Sequence, residues 1–171
     1  LAGPAQLIGQ APEGAAWPDL IGSELPLKGT NPRQHAPSLL TLLSAQAAFE
    51  GDAAGGEALA ATMVRLGQDL RPADELLEMA TSGEQVVFPT SEQVVHTAGG
   101  SLGALVPAGG LGTLSYPVVT LPDGDASAEA VAALTGALLS PEGQEALAAA
   151  GFRPGEDGPP PGVAGVPEQV P

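Results

Sequence analysis

The chain has 171 residues, and its 20 acidic side chains against 5 basic ones give a formal net charge of −15. A field of that sign repels phosphate backbones and anionic membrane surfaces, which argues against a nucleic-acid-binding protein. The absence of cysteine excludes disulfides, thiolate metal sites and thiol catalysis.

Apolar residues make up 43% of the chain but aromatic ones only 3%, so we expect a core of Leu, Val and Ala. No apolar run approaches the roughly 18 residues that span a bilayer. The chain begins at Leu1 and shows no basic region followed by an apolar one. We therefore expect a fragment of a longer protein, with no signal peptide in this segment.

Gly, Ala and Pro are abundant in residues 1–24, which predicts an irregular N-terminal segment with a short anchoring turn at "WPDLIG". The short apolar run 25–29 is compatible with a strand. From about Pro37 the spacing of the leucines predicts a buried helix, which ends at Gly51.

Helices are predicted next over 54–67 and 71–83. The hydrophobic period then switches, and the apolar run 84–90 predicts a buried strand. Another helix follows directly, because Thr90 and Gln93 have the spacing of a capping box, with Thr90 as the N-cap.

Further strands are predicted over 103–110 and 115–125, and a helix over 126–140 with Asp125 or Ser127 as its cap. Strands thus alternate with helices, which indicates an α/β domain. Each predicted strand is short, so the sheet is expected to be small.

The closing stretch "LLSPEGQEALAAAGFRP" contains two helix boundaries. Ser140 caps a new helix, and Pro141 lies where its missing N–H costs nothing. Gly151 supplies a left-handed ending for that helix. Residues 155–171 have little to bury and are predicted to form a flexible tail.

Four stretches carry a resemblance to a known family: "LKGTNPRQHAPSLL", "VVFPTSEQVV", "YPVVTL" and the closing stretch. Together they resemble the bacterial extracellular solute-binding proteins with the two-lobed type II periplasmic-binding fold. The nearest likeness is to the solute-binding-like segments of actinobacterial surface proteins that carry a von Willebrand factor A domain. The likeness covers roughly residues 17–154, and residue 31 is Asn where the family often has Asp.

The resemblance implies a three-layer α/β lobe of the periplasmic-binding (type II) kind, in which helices flank a small mixed sheet. It corresponds to the second lobe and the closing helices alone, over a domain at 25–154. The parent is then expected to be an extracellular or cell-surface protein, anchored to the membrane as a lipoprotein. A bilobed receptor closes on its ligand about a hinge, so one lobe offers a surface rather than an enclosure.

In such a lobe, ligand groups meet the turns between strands and helices, where free N–H groups suit polar or anionic atoms. The candidate ligand-binding residues belong to two such turns and to a Tyr-Pro strand start: Thr30, Asn31, Arg33, Thr90, Ser91, Glu92 and Tyr116. The alternative is that Asn31 and Thr90 only cap helices, Arg33 is a solvated charge and Tyr116 is structural. Both interpretations can hold at once.

Chemistry that needs a metal or a nucleophile finds little support in the sequence. Two histidines, His35 and His96, do not make up a zinc ligand set, and no calcium-loop spacing surrounds Asp123. No Gly-x-Ser-x-Gly elbow surrounds Ser91, which argues against a hydrolase. The glycine loop 108–114 lacks the lysine of a nucleotide cradle. We expect neither an enzyme nor a bound cofactor or metal.

Two functions remain open. The first is non-enzymatic binding of a small polar solute in a cleft. The second is a protein–protein interaction or structural domain with no small-molecule ligand. The expected partners are a small polar solute or an adjacent domain of the parent, with no nucleic acid and no membrane insertion by this segment. A lone lobe leaves apolar surface where its partner lobe belongs, so a homodimer through that face is a hypothesis.

Overall fold

The computed structural model describes residues 1–119 and 127–153, which are mostly helical. The helices are α1 (Ala5–Ile8), α2 (Trp17–Ile21), α3 (Ala36–Ala48), α4 (Ala53–Gly67), α5 (Ala73–Thr81), α6 (Glu92–Thr97), α7 (Ala128–Leu139) and α8 (Pro141–Ala149). The strands are β1 (Ala2–Pro4) and β2 (Leu102–Ala104). From α3 onward, each predicted helix is present with its bounds shifted by a few residues.

The regular sheet is an antiparallel pair of β1 and β2, in which Ala2 lies opposite Ala104 and Pro4 opposite Leu102. The nitrogen of Leu1 donates to the Leu105 carbonyl over 3.0 Å, which extends the pairing by one residue. This pair brings the beginning of the described chain beside a segment about one hundred residues later.

Isolated bridges extend the pairing beyond these two strands. Phe88 pairs antiparallel with β1, Leu27 pairs parallel with Val87, and Gly29 pairs parallel with Leu70. Five short segments therefore lie side by side, with parallel and antiparallel neighbours. The order across the array runs from β2 through β1, the Phe88 segment and the Leu27 segment to Leu70.

Prolines keep these pairings short. Pro4 ends β1, and Pro26 and Pro89 flank the bridged residues; a proline has no N–H to donate to a ladder. The predicted small mixed sheet is therefore present only in part. Its pairings are both parallel and antiparallel, but within the described residues only β1 and β2 are regular strands. The strands predicted over 25–29 and 84–90 are present only as isolated bridges.

Consecutive residues of the bridged segment face opposite sides of the array. Val87 packs in one apolar cluster, with side chains of α2, α3 and α4, whereas Val86 and Phe88 pack in a second, with side chains of α5, α6 and β2. Helices therefore pack on both faces of the paired segments, as the alternation of an extended strand requires. Phe88 is 1% exposed, and burial of a side chain of that size stabilises the fold by about 1.5–3 kcal/mol.

Residues 1–24, expected to be irregular, hold β1, α1 and α2 and contribute buried side chains to the core: Leu1, Ala2, Leu7, Ala15, Trp17 and Leu20. Trp17 anchors α2, because its side chain is buried and its indole Nε1 donates to Ser44 Oγ of α3 over 3.3 Å. The two helices are only 4 and 5 residues long, too short to show a helical period among the glycines and prolines.

Helices α7 and α8 pack on each other, and neither has a buried side chain within the described residues. Ser127 Oγ accepts from the Ala130 N–H over 3.1 Å, and Ser140 Oγ accepts from the Gly143 N–H over 3.1 Å. Gly151 adopts a φ of 89°, the left-handed ending expected there. Of the two caps predicted for the helix over 126–140, the chain uses Ser127, and the cap at Ser140 and the ending at Gly151 predicted for the closing stretch are confirmed.

Two predicted elements fall partly or wholly outside the described residues. Of the strand predicted over 115–125, residues 115–119 have no regular structure, and 120–126 lie outside the described part. The tail predicted over 155–171 lies outside it entirely. Among the helices of the described ranges, none combines the length and the apolar character that crossing a membrane requires.

Candidate functional site

One cleft, of about 220 Å³, lies between α3, the beginning of α6, the segment 111–116 and the closing residues 151–153. Its apolar wall includes side chains of α3 and of the segment after β2, among them Leu40, Leu111 and Leu114. Segments from four separate parts of the chain meet there, so the cleft is a product of the tertiary fold.

The candidate residues divide into two groups. Four of them line the cleft: Thr90, Ser91, Glu92 and Tyr116. The other three do not, namely Thr30, Asn31 and Arg33. The second strand-to-helix turn therefore contributes directly to the cleft, whereas the first contributes only through the helix that follows it, because Leu40 and Thr41 of α3 lie in the wall.

The turn around residue 30 is occupied by internal hydrogen bonds. Thr30 is 4% exposed, and its Oγ1 lies 2.5 Å from Ser38 Oγ, which in turn lies 2.9 Å from His35 Nδ1. Asn31 Oδ1 accepts from the Arg33 N–H over 3.0 Å. Burial lowers the pKa of His35 below its ordinary value of 6.5, so the neutral ring is favoured in this polar cluster. These contacts suit a structural turn, but the prediction of Asn31 as a helix cap is wrong, because the N-cap of α3 is His35.

At the second turn the cap is one residue later than predicted. Ser91 is the N-cap of α6, with its Oγ accepting from the Val94 N–H over 3.4 Å. The prediction of Thr90 as the N-cap is wrong, because Ser91 takes the extended conformation that precedes the first helical residue. Thr90 therefore lies in the cleft wall, half-buried, before the helix begins.

Glu92 is paired across the cleft with Arg153. Arg153 Nε donates to Glu92 Oε2 over 2.8 Å, and Arg153 Nη2 donates to Glu92 Oε1 over 2.9 Å. The Arg153 side chain is 11% exposed and the Glu92 side chain 33% exposed, so the pair is shielded on the arginine side. Two parallel hydrogen bonds of this kind hold both groups in a fixed geometry.

Sequence reasoning missed Arg153 and Phe152 as cleft residues. The Gly-Phe-Arg-Pro motif contains the signal, but from the sequence it is interpreted as a helix ending and as part of the family resemblance, with no binding residue assigned to it. The Phe152 ring meets the ring of Tyr116 edge to face, with centroids 5.4 Å apart and planes at 89°. Gly151 lies so close to His96 that a Cβ added to it would be 2.9 Å from the His96 ring. Each residue of the motif up to Arg153 thus contacts another element.

Among the described residues, the charged side chains that line the cleft are those of this ion pair. Hydroxyl and amide side chains line it at Thr41, Thr90, Ser91, Gln93 and Thr113. In the described part of the chain, no group of three or more His, Asp or Glu side chains is placed to hold a metal ion. The arrangement suits reversible binding through hydrogen bonds and apolar contact.

A wider concavity of about 710 Å³ lies between α1, the loop 11–14 and β2. Glycines and apolar side chains form most of its surface, and its ionisable side chains are Glu13 and His96. None of the seven candidate residues lines it. The smaller cleft is therefore the candidate site.

Comparison with known proteins agrees with this picture. The family model of bacterial extracellular solute-binding proteins matches residues 11–153, which include most of the core and most of the cleft lining. No curated protein and no solved structure matches the chain. The family implies a periplasmic-binding-like fold and solute binding, and its members are typically not enzymes. The chain belongs to the bacterial extracellular solute-binding protein family.

Proposed function

We propose that the chain is a non-enzymatic module that binds a small polar solute in the cleft. The observation that carries the proposal is the meeting of Thr90, Ser91 and Glu92 with Tyr116 and the closing residues in one concave site. A family of solute-binding proteins supplies the class of function. Polar groups fix the orientation of a solute while apolar walls exclude water, which is the usual composition of a small-molecule site.

We further propose that the described domain is the second lobe of a type II periplasmic-binding receptor. Helices on both faces of a small mixed array of segments support this assignment. We propose that the parent is a surface-attached lipoprotein of an actinobacterium that also carries a von Willebrand factor A domain. That proposal comes from the likeness of the closing stretch to such proteins, and the sequence of the parent gene tests it.

A second function is favoured by one specific observation. Helix α7 is composed mostly of apolar residues and, within the described part of the chain, buries none of them, with Leu134 56% exposed and Leu139 71% exposed. Exposed apolar surface of this kind is typical of protein–protein contacts. In this alternative the module is an interaction or structural domain, and its partner is an adjacent domain of the parent or a second copy.

Thermal unfolding in the presence of a panel of small solutes separates the two functions. A solute that binds the folded state raises the midpoint by an amount that grows with its concentration. Solute binding predicts such a shift for at least one solute. The interaction alternative predicts no shift with any solute and a saturable complex with another domain of the parent.

A matched pair of variants locates the binding. Thr90→Val removes a hydroxyl from the cleft wall at nearly constant volume, and the same change at Thr81 removes one from the exposed end of α5, away from the cleft lining. The solute-dependent shift is expected to shrink in the first variant and to persist in the second. A shift that persists in both the Thr90→Val variant and the Tyr116→Ala variant would place the solute outside this cleft.

A further inference from the structure

We propose that the cleft selects a neutral, hydroxyl-rich solute, such as a sugar or polyol of monosaccharide size, over an anion. This inference rests on the proposed solute-binding function and names the class of solute. It follows from the charge, the polar groups and the size of the cleft.

The charge of the cleft is balanced internally. Among the described residues, its charged side chains are Glu92 and Arg153, and they are bonded to each other by two hydrogen bonds. An anion would have to compete with the Glu92 carboxylate for the guanidinium, in a pair that is already fixed in geometry. The net charge of −15 on the whole chain opposes the approach of an anion as well.

The remaining polar groups match a hydroxylated ligand. The hydroxyls of Thr41, Thr90 and Thr113 both donate and accept, as does the amide of Gln93. A sugar hydroxyl has the same dual capacity, so each contact can be made without leaving a buried donor or acceptor unpaired. An inorganic anion offers only hydrogen-bond acceptors, so it would use the donors of these side chains and leave their acceptors unused.

The apolar part of the wall suits the other side of a sugar. Tyr116 is 66% exposed, and its ring is held edge to face against Phe152. That contact restricts the ring and leaves an apolar surface exposed at the cleft. The C–H groups on one face of a sugar ring can pack on it while the hydroxyls bond to the opposite wall.

The volume bounds the size of the solute. The cleft measures about 220 Å³, which corresponds to roughly seven water molecules at about 30 Å³ each. Sites for drug-sized ligands begin at about 300 Å³, so this cleft is smaller than such a site. A single sugar ring fits this space, and a longer oligosaccharide would extend out of it.

Isothermal titration calorimetry with defined probes tests the inference. The probes are glucose and myo-inositol as neutral polyols, sulfate and acetate as anions, and putrescine as a cation. We expect saturable binding of a neutral probe, with an affinity that changes little with salt because no net charge is neutralised. Binding of sulfate, acetate or putrescine alone would overturn the inference while leaving solute binding intact. No binding by any probe would overturn the proposed function and this inference together.

Two variants make the test specific to the cleft. Tyr116→Ala removes an exposed ring and is expected to weaken neutral-probe binding by up to about tenfold, the scale of one well-placed aromatic contact. Glu92→Gln removes the balancing negative charge and is expected to raise the affinity for sulfate. Unchanged affinities for both classes of probe in both variants, with cooperative unfolding retained, would refute the assignment. Thr81→Val at the exposed end of α5 is the control.

Discussion

Arg153 and Glu92 are joined by two parallel N–H···O hydrogen bonds, although 61 residues separate them in sequence. This contact ties the last described residue to the first turn of α6. It therefore positions the closing segment over the cleft, together with the contact of Phe152 on Tyr116. The cleft wall is therefore completed by three residues after α8 that contact other elements: Gly151, Phe152 and Arg153.

Arg153→Ala should lower the free energy of unfolding by roughly 1.5–3 kcal/mol, the range for hydrogen bonds to a charged group. The arginine side chain is only 11% exposed, so water replaces its bonds poorly. Urea unfolding measures the change. The control is Arg33→Ala, an exposed arginine, for which we expect a change within about 0.5 kcal/mol. Equal effects in the two variants would contradict an anchoring role for Arg153.

Gly151→Ala should destabilise the fold by about 1–3 kcal/mol, the cost of a strained backbone conformation in a residue other than glycine. The φ of 89° disfavours a side chain, and the new Cβ would lie 2.9 Å from the His96 ring. The matched change Gly136→Ala lies within α7, where an added Cβ would meet no neighbouring atom of residues 1–119 or 127–153 within 4 Å. That variant should be more stable by up to about 1 kcal/mol, from helix propensity. Thermal unfolding of both variants gives the comparison, and a destabilised Gly136→Ala protein would contradict it.

His35 should make stability depend on pH. Its folded pKa is lowered from 6.5 by burial, so the unfolded chain binds more protons than the folded one below that value. Its contribution is therefore fully present above about 6.5 and is lost as the pH falls through the lowered folded value. Unfolding at a series of pH values measures the slope, and NMR titration of the ring gives the folded pKa directly.

The control for this prediction is His35→Gln, which removes the titrating ring and retains a hydrogen-bonding side chain beside Ser38. The slope of stability below 6.5 should decrease in the variant. A slope that is unchanged would assign the pH dependence to other groups.

Leu134→Gln with Leu139→Gln should leave the free energy of unfolding within about 0.5 kcal/mol of the original, because both side chains are exposed. If α7 pairs with a second copy, light scattering at high concentration should show a dimer that the double variant loses. A monodisperse monomer in the original protein would count against the homodimer, and would leave an adjacent domain of the parent as the partner.

Local signals in the sequence predicted the helix boundaries well. Ser127, Ser140 and Gly151 act through backbone geometry and hydrogen bonds to residues three or four positions away. A capping hydroxyl or a left-handed glycine therefore has the same effect in almost any tertiary context. The wrong prediction at Thr90 shows that such a signal does not distinguish neighbouring residues. Thr90 and Ser91 both carry a hydroxyl that can cap a helix, and the chain uses Ser91.

Long-range contacts could not be predicted in the same way. Neither the pairing of β1 with the Phe88 bridge nor the bond from Arg153 to Glu92 leaves a pattern in the intervening sequence. Residues 1–24 are assigned by composition, although six of their apolar side chains are buried in the core. One of the two predicted turns lines the candidate cleft together with Tyr116, and the rest of the wall includes residues of α3, the segment 111–114 and the closing residues, to which no binding role is assigned from the sequence.

Trp17 and Tyr116 are the only tryptophan and the only tyrosine in the chain, and they lie in opposite environments. The indole is 3% exposed and bonded to α3, whereas the phenol is 66% exposed at the cleft. Fluorescence excited at the indole therefore reports loss of the core, and it should stay constant when a solute binds. Phenol absorbance should respond to occupancy of the cleft, so the two signals distinguish denaturation from ligation in a single unlabelled sample.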